Sequence, residues 1–191
     1  MNRIEMELEL LRDWSWFLEV TATFDESVLG QRVSQDHHDP SVWWTVKDHI
    51  AHCFGVYDAG TRVVREFFAE GGERPFITYL LPPSKRDLDA ATNLNELLAA
   101  VDESTHAIWD RYRNYSWTDL LSVGQQARGE RLVLISSLSD EELARSLPGA
   151  QWGDGTLGGY LLNAAGNHQR MHLKWIMTGL GNLSDSSRGV S

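Results

Sequence analysis

The chain has 191 residues, 42% hydrophobic and 23% charged, enough for one enclosed core in the proportions of an ordinary globular domain. Its formal net charge is -10 at pH 7, and Lys and Arg are not clustered, which excludes a basic face for nucleic acid. No apolar run approaches the roughly 20 residues that span a bilayer, and the single cysteine, Cys53, excludes an internal disulfide.

The first nine residues are acidic and amphipathic, unlike the basic start and apolar run of a signal peptide, so a cytoplasmic protein is expected. Met6, Leu10, Trp14, Phe17, Thr21, Phe24 and Val28 recur at steps of three and four, which predicts one bundle helix from about Arg3 to about Leu29. Gln31 to Ser41, with His37, His38, Asp39 and Pro40, reads as a polar loop. Thr45 followed by Asp48 is a capping-box pattern that opens a second helix, expected to stop at Gly71-Gly72. Val46, Ile50, Phe54 and Tyr57 form part of its apolar face.

Gly71 to Asp89 contains three prolines and reads as a connection, but Phe76 to Leu81 is too apolar to hang free. It is expected to pack on the bundle, over the mouth of a pocket. Further helices are predicted at Asn93–Tyr112 and Thr118–Leu138, with a capped turn opening at Ser139. After a loop from Leu147 to Gly155, Thr156 caps a last helix reaching about Thr178. No run of alternating strands is evident. The fold class is therefore all-α, an antiparallel four-helix bundle with one or two extra short helices. Residues 1–180 are expected to form one domain, and the Gly- and Ser-rich residues 181–191 a flexible tail.

Chemistry is concentrated in the last helix. His168 and His172 are four residues apart, so both imidazoles lie on one helix face, one turn apart. They continue a stripe made by Leu157, Leu161 and Ala164, where an unpartnered polar ring costs a few kcal/mol. Such a pair can hold a divalent ion if a third ligand arrives from elsewhere, and His52 is the candidate. The alternative is a set of purely structural histidines. Most of the eight tryptophans read as core anchors, with Trp44, Trp109 and Trp175 nearest the candidate site segments.

These residues carry a resemblance. Trp44-Thr-Val-Lys-Asp-His-Ile-Ala-His52 resembles the Trp-Ser-Val-Lys-Glu-x-Leu-Ala-His segment of the DinB/YfiT-like superfamily. Leu138-Ser-Asp-Glu-Glu-Leu143, Thr156-Leu-Gly-Gly-Tyr-Leu161 and the His168–His172 pair resemble later segments of the same family, in the same order. The resemblance spans nearly the whole chain and implies a four-helix bundle with three metal ligands, which fall on His52, His168 and His172. His49 is not at a ligand position and reads as a surface residue or a support to the ligands. Gly158 and Gly159 depart from the family, which commonly has Glu there. They weaken the helix start or permit close packing.

Three imidazoles suit Zn or Ni best, with Fe or Cu also accepted. Each ring needs an acceptor for its other nitrogen, and Asp48, Asn163 and Asn167 are candidates. Gln169 reads rather as solvent-facing. No catalytic residue is assigned: Asp58, Glu66 and Glu70 are poorly placed as general bases, and His106 is a candidate for the pocket mouth only. Cys53 reads as a buried structural thiol. The resemblance further implies a small-molecule substrate and a homodimer. The implied activity is that of a metal-dependent hydrolase, or of a transferase or isomerase using mycothiol or bacillithiol as a thiol cosubstrate. A non-catalytic protein that binds a metal or a small ligand is the competing reading.

Overall fold

Asn2 opens helix α1 (Arg3–Thr21) through a capping box with Glu5. A computed structural model describes residues 2–36, 40–81, 94–147 and 154–188 of the chain. Met6, Leu10, Trp14, Phe17 and Thr21 are all buried along α1. The expected continuation to Leu29 does not occur. Thr21 turns its hydroxyl back to the carbonyls of Phe17 and Leu18, and Asp25 caps a separate short helix α2 (Glu26–Leu29). A new cap so soon after the stripe ends lets the chain change direction while Phe24 and Val28 still pack on the core.

The expected polar loop is partly a hairpin. Strand β1 (Arg32–Gln35) pairs antiparallel with β2 (Trp43–Thr45), with a register shift between Arg32 and Ser34. Strands this short carry too little alternation to be read from the sequence. His37, His38 and Asp39 lie outside the described residues. Thr45 then caps the long helix α3 (Val46–Ala69), with the expected reciprocal bonds to Asp48. The helix closes at Glu70, and Gly71 and Gly72 follow at φ 78° and 68°, a backbone region that favours glycine.

Phe76–Leu80 forms a 3-10 turn packed against α3 and against α4 (Leu94–Tyr112). Phe76 and Tyr79 enter the main core, so this segment anchors a loop and does not line the pocket. The rest of the connection, 82–93, falls outside the described residues. Helix α5 (Trp117–Ser137) runs next, followed by a capping box at Ser139 that opens the short α6 (Asp140–Leu143). The loop expected from Leu147 lies outside the described residues over 148–153.

Thr156 caps α7 (Leu157–Leu162), as expected. Gly158 meets the Leu143 carbonyl and the Met6 sulfur so closely that a Cβ would lie 3.1 Å from each, so close packing is the reason for this glycine. A π turn (Asn163–Asn167) then leads into α8 (His168–Arg188), which runs past the expected end at Thr178. Helices α1, α3, α5 and the α7–α8 pair form the bundle, and α4 packs on α3.

The centre of this bundle is aromatic. Trp14 meets Phe54 at 5.5 Å and Tyr57 at 5.6 Å between ring centroids, and Phe17 meets Phe54 edge-on at 5.7 Å. One full charge is buried beside it. Arg131 of α5 is fully buried, donates to Thr61 Oγ1 at 3.0 Å and to the Tyr57 carbonyl, and lies 3.8 Å from the Tyr57 ring centroid. It also donates to the Leu161 carbonyl at 3.1 Å, just before the π turn. A single guanidinium thus ties α3, α5 and α7 through charge-assisted hydrogen bonds. Arg131→Met, which removes these charge-assisted bonds, should destabilise the protein by about 1–3 kcal/mol. A lowered urea midpoint with an unchanged m-value would show it.

Candidate metal centre

The π turn decides how the last helix presents its histidines. A π turn uses one more residue per hydrogen-bonded ring than an α-helix and shifts the phase of the residues beyond it. Leu157 and Leu161 face the core in α7, and after the turn the core side of α8 carries Gln169, Leu173 and Ile176. This is one residue later than an unbroken helix predicts. Gln169 is therefore buried, where a solvent-facing position was expected. His168 and His172 move to the flank of the stripe, toward α3.

There they meet His52. Ligand atoms of His52, His168 and His172 all lie within 4.8 Å of one another. The ring centroids are 5.1 Å apart for His52–His168, 4.9 Å for His52–His172 and 4.6 Å for His168–His172. His52 and His172 are buried and His168 half-buried. Burial holds His52 well below its usual range, reinforced by the nearby His168, His49 and His106. Burial alone lowers His168 from 6.5 to about 4. Both rings are thus neutral at pH 7, the state in which imidazole ligates a metal. His52 Nδ1 and His168 Nε2 are sealed from solvent without a hydrogen-bond partner among the described residues. A cation is one partner that such a set of neutral, inward-facing imidazoles accommodates, so the residues present fit a divalent ion.

The supports of this cluster are not those expected. Asp48 accepts from the Thr45 backbone and hydroxyl at 2.9 and 2.7 Å, which commits it to the helix cap. Asn167 donates to Asn163 at 3.2 Å and accepts from Arg170 at 3.1 Å on the exposed side of the π turn. His49 supports the cluster instead. It is buried, not on the surface, and its Nδ1 lies 2.7 Å from Nδ1 of His172. Its Nε2 lies 2.9 Å from Ser34 Oγ. A spacing of three from His52, which makes the two rings neighbours on α3, is the sequence signal that could have found it.

The histidines line a cavity of about 180 Å³. Trp44, Met171 and Trp175 supply apolar wall, and Ser34, Gln35 and Asp36 supply polar wall from the hairpin. Trp44 stacks on Trp109 at 5.6 Å with planes 5° apart, and its ring centroid is 5.2 Å from that of His52. The three tryptophans singled out from the sequence thus all gather at this site. His106 does reach the cavity, where its Nε2 is 3.7 Å from Asp36 Oδ1. Asp36 is a buried carboxylate at the site that the sequence did not reveal. It arrives only because β1 lies against α8, and Gly179 allows that approach: a Cβ there would sit 2.4 Å from the Val33 carbonyl oxygen. Cys53 points away from this chemistry. It is buried in the main core, and burial raises its thiol pKa, so it is an inert packing residue.

The depressed histidines carry a pH signature. An unfolded chain protonates His168 near 6.5, before the folded one does near 4. The stability that depends on the neutral ring is therefore fully present above pH 6.5 and is lost as pH falls through about 4. In chelator-treated protein, unfolding free energy should fall over this window by roughly 3 kcal/mol from His168 alone. Urea titrations at several pH values check this, and His168→Leu should flatten the slope.

Comparison with known proteins bears on the fold and the family. The chain resembles the crystal structure of an uncharacterised protein from Escherichia coli UTI89, with a TM-score of 0.67 and 15% identity over 96% of this chain and 95% of that one. A Streptococcus pneumoniae protein solved by structural genomics matches with a TM-score of 0.61 and 17% identity, over 93% of this chain and 89% of that one. At such identities the likeness concerns the fold. No curated protein matches the chain. The sequence profile of the DinB superfamily matches residues 9–176, which cover all three clustered histidines and most of the bundle that positions them, and the chain belongs to that superfamily.

Proposed function

We propose that the protein is a metal-dependent enzyme acting on a small molecule, with His52, His168 and His172 as the ligands of one divalent ion. The observation that carries this reading is the convergence of three imidazoles on the wall of a cavity that also holds a carboxylate. Three protein ligands leave open coordination positions, the arrangement of catalytic rather than structural sites. Zn or Ni suits the all-imidazole set best, with Fe as the next choice. Bound there, the ion would supply Lewis acidity to a water or thiol nucleophile.

The remaining work falls to the chain itself. Trp44, Met171 and Trp175 exclude water and offer flat apolar surface to a substrate. Asp36 and His106 face the same cavity within 3.7 Å of each other, and are the groups placed to take or deliver a proton. Their presence weighs against a purely binding role, whose main support from the sequence was the lack of any acid or base beside the histidines. Hydrolysis, and transfer or isomerisation using a low-molecular-weight thiol such as mycothiol or bacillithiol, are the reaction classes that the family resemblance offers for this site.

Untagged protein reconstituted with zinc should hold about one ion per chain. The double substitution His168→Ala and His172→Ala should abolish uptake while helical circular dichroism is retained, because Leu157, Leu161, Leu173 and Ile176 carry the helix packing. Global unfolding of that variant would make the pair structural. On a panel of esters and thiol conjugates, turnover should stop on chelation and return with metal. Asp36→Asn should lower kcat by 10²–10⁴-fold if it is the proton-transfer group. Full metal occupancy with no turnover on such a panel would favour the binding role.

A further inference from the structure

A chain of hydrogen bonds leaves the histidine cluster on its far side. His172 Nδ1 and His49 Nδ1 are 2.7 Å apart, and His49 Nε2 is 2.9 Å from Ser34 Oγ. The three residues stand on three different elements, α8, α3 and β1. His49 is buried, with the Trp44 and Trp175 rings 5.1 and 6.0 Å from its own. We propose that His49 is a positioning residue which, backed by Ser34, locks His172 in the tautomer and ring orientation needed to ligate a metal.

The direction of these bonds is fixed by counting protons, and it rests on the metal-site reading above. Only one proton can lie between two nitrogens 2.7 Å apart. With Nδ1 engaged by His49, Nε2 is the nitrogen His172 would bring to a cation. A neutral His172 that gives its Nε2 lone pair must carry its proton on Nδ1, and donates it to His49 Nδ1. His49 must then carry its own proton on Nε2, where the Ser34 hydroxyl oxygen accepts it. Each ring is left in one tautomer, and His172 gains the outer hydrogen bond that raises ligand basicity. Asn at position 49 could imitate this acceptor, because its side-chain oxygen sits near the place of Nδ1. Phe keeps the ring volume and removes both bonds.

The test uses the full chain loaded with Zn²⁺, with affinity read by competition against a chromophoric chelator. His49→Phe should weaken Zn²⁺ binding by about 10–100-fold, and His49→Asn should recover much of the loss. X-ray absorption should count the same number of imidazole ligands in wild type and His49→Phe. Nitrogen-15 spectra of the wild-type zinc protein should show His172 protonated at Nδ1 and His49 at Nε2, a readout that does not depend on any variant folding. Unchanged affinity in His49→Phe, or a His49 protonated at Nδ1, overturns the proposal. So does the loss of one imidazole ligand in the variant, which would make His49 a ligand itself. Wild-type protein that takes up no zinc would overturn the metal site together with this proposal, whereas tight wild-type binding that ignores position 49 overturns the proposal alone.

Discussion

The arrangement depends on holding imidazoles inside a helical bundle, two of them kept neutral by burial. Burial removes the solvent that would stabilise the charged ring, which is why His168 is pushed down to about 4 and His52 well below its usual range. A neutral ring inside a core still has two nitrogens to satisfy. His172 meets part of that need through His49, whereas His52 Nδ1 and His168 Nε2 have no hydrogen-bond partner among the described residues. Natural cores seldom leave such deficits without a reason, and the proposed cation is one.

The surrounding fold can be understood as the frame that keeps those rings at one point. Arg131 binds carbonyls of Tyr57 and Leu161, so the helix bearing His52 and the helix leading to His168 are tied to the same guanidinium. On the other side of the π turn, Arg170 pairs with Asp13 of α1. The turn is thus held near both ends by charged groups from neighbouring helices. The strand hairpin completes the site by laying Ser34 and Asp36 on the cavity wall, one as a prop for His49 and the other opposite His106. A binding wall built from a bundle face and a hairpin can change its chemistry through the hairpin alone, without disturbing the ligand helices.

Long helices were legible in the chain because their apolar periodicity is strong and their caps are local. Thr45 with Asp48, Ser139 with Glu142, and Thr156 all cap as their sequence patterns require. The break after Thr21 was hidden because Phe24 and Val28 keep the helical spacing while belonging to a different segment. Gln169 was misplaced, and the neighbouring stripe with it, because a π turn leaves no periodic mark: its extra residue is visible only in the backbone. Asp36 was missed because its importance depends on a two-stranded hairpin with a register shift, docked on α8 through Gly179.

The sequence by itself determined an all-α bundle, the identity of three candidate ligands and their membership in one family, because spacing along helices and residue type are local properties. It also determined that Cys53 would pack in the core. Tertiary structure alone decided which nitrogen meets which. It made His49, left open as a surface residue or a support, the partner of His172, committed Asp48 to a cap, and brought a carboxylate from a hairpin to the cavity. Those outcomes are set by contacts between elements far apart in the chain, whose relative placement depends on how glycines, a buried arginine and a π turn allow backbones to approach.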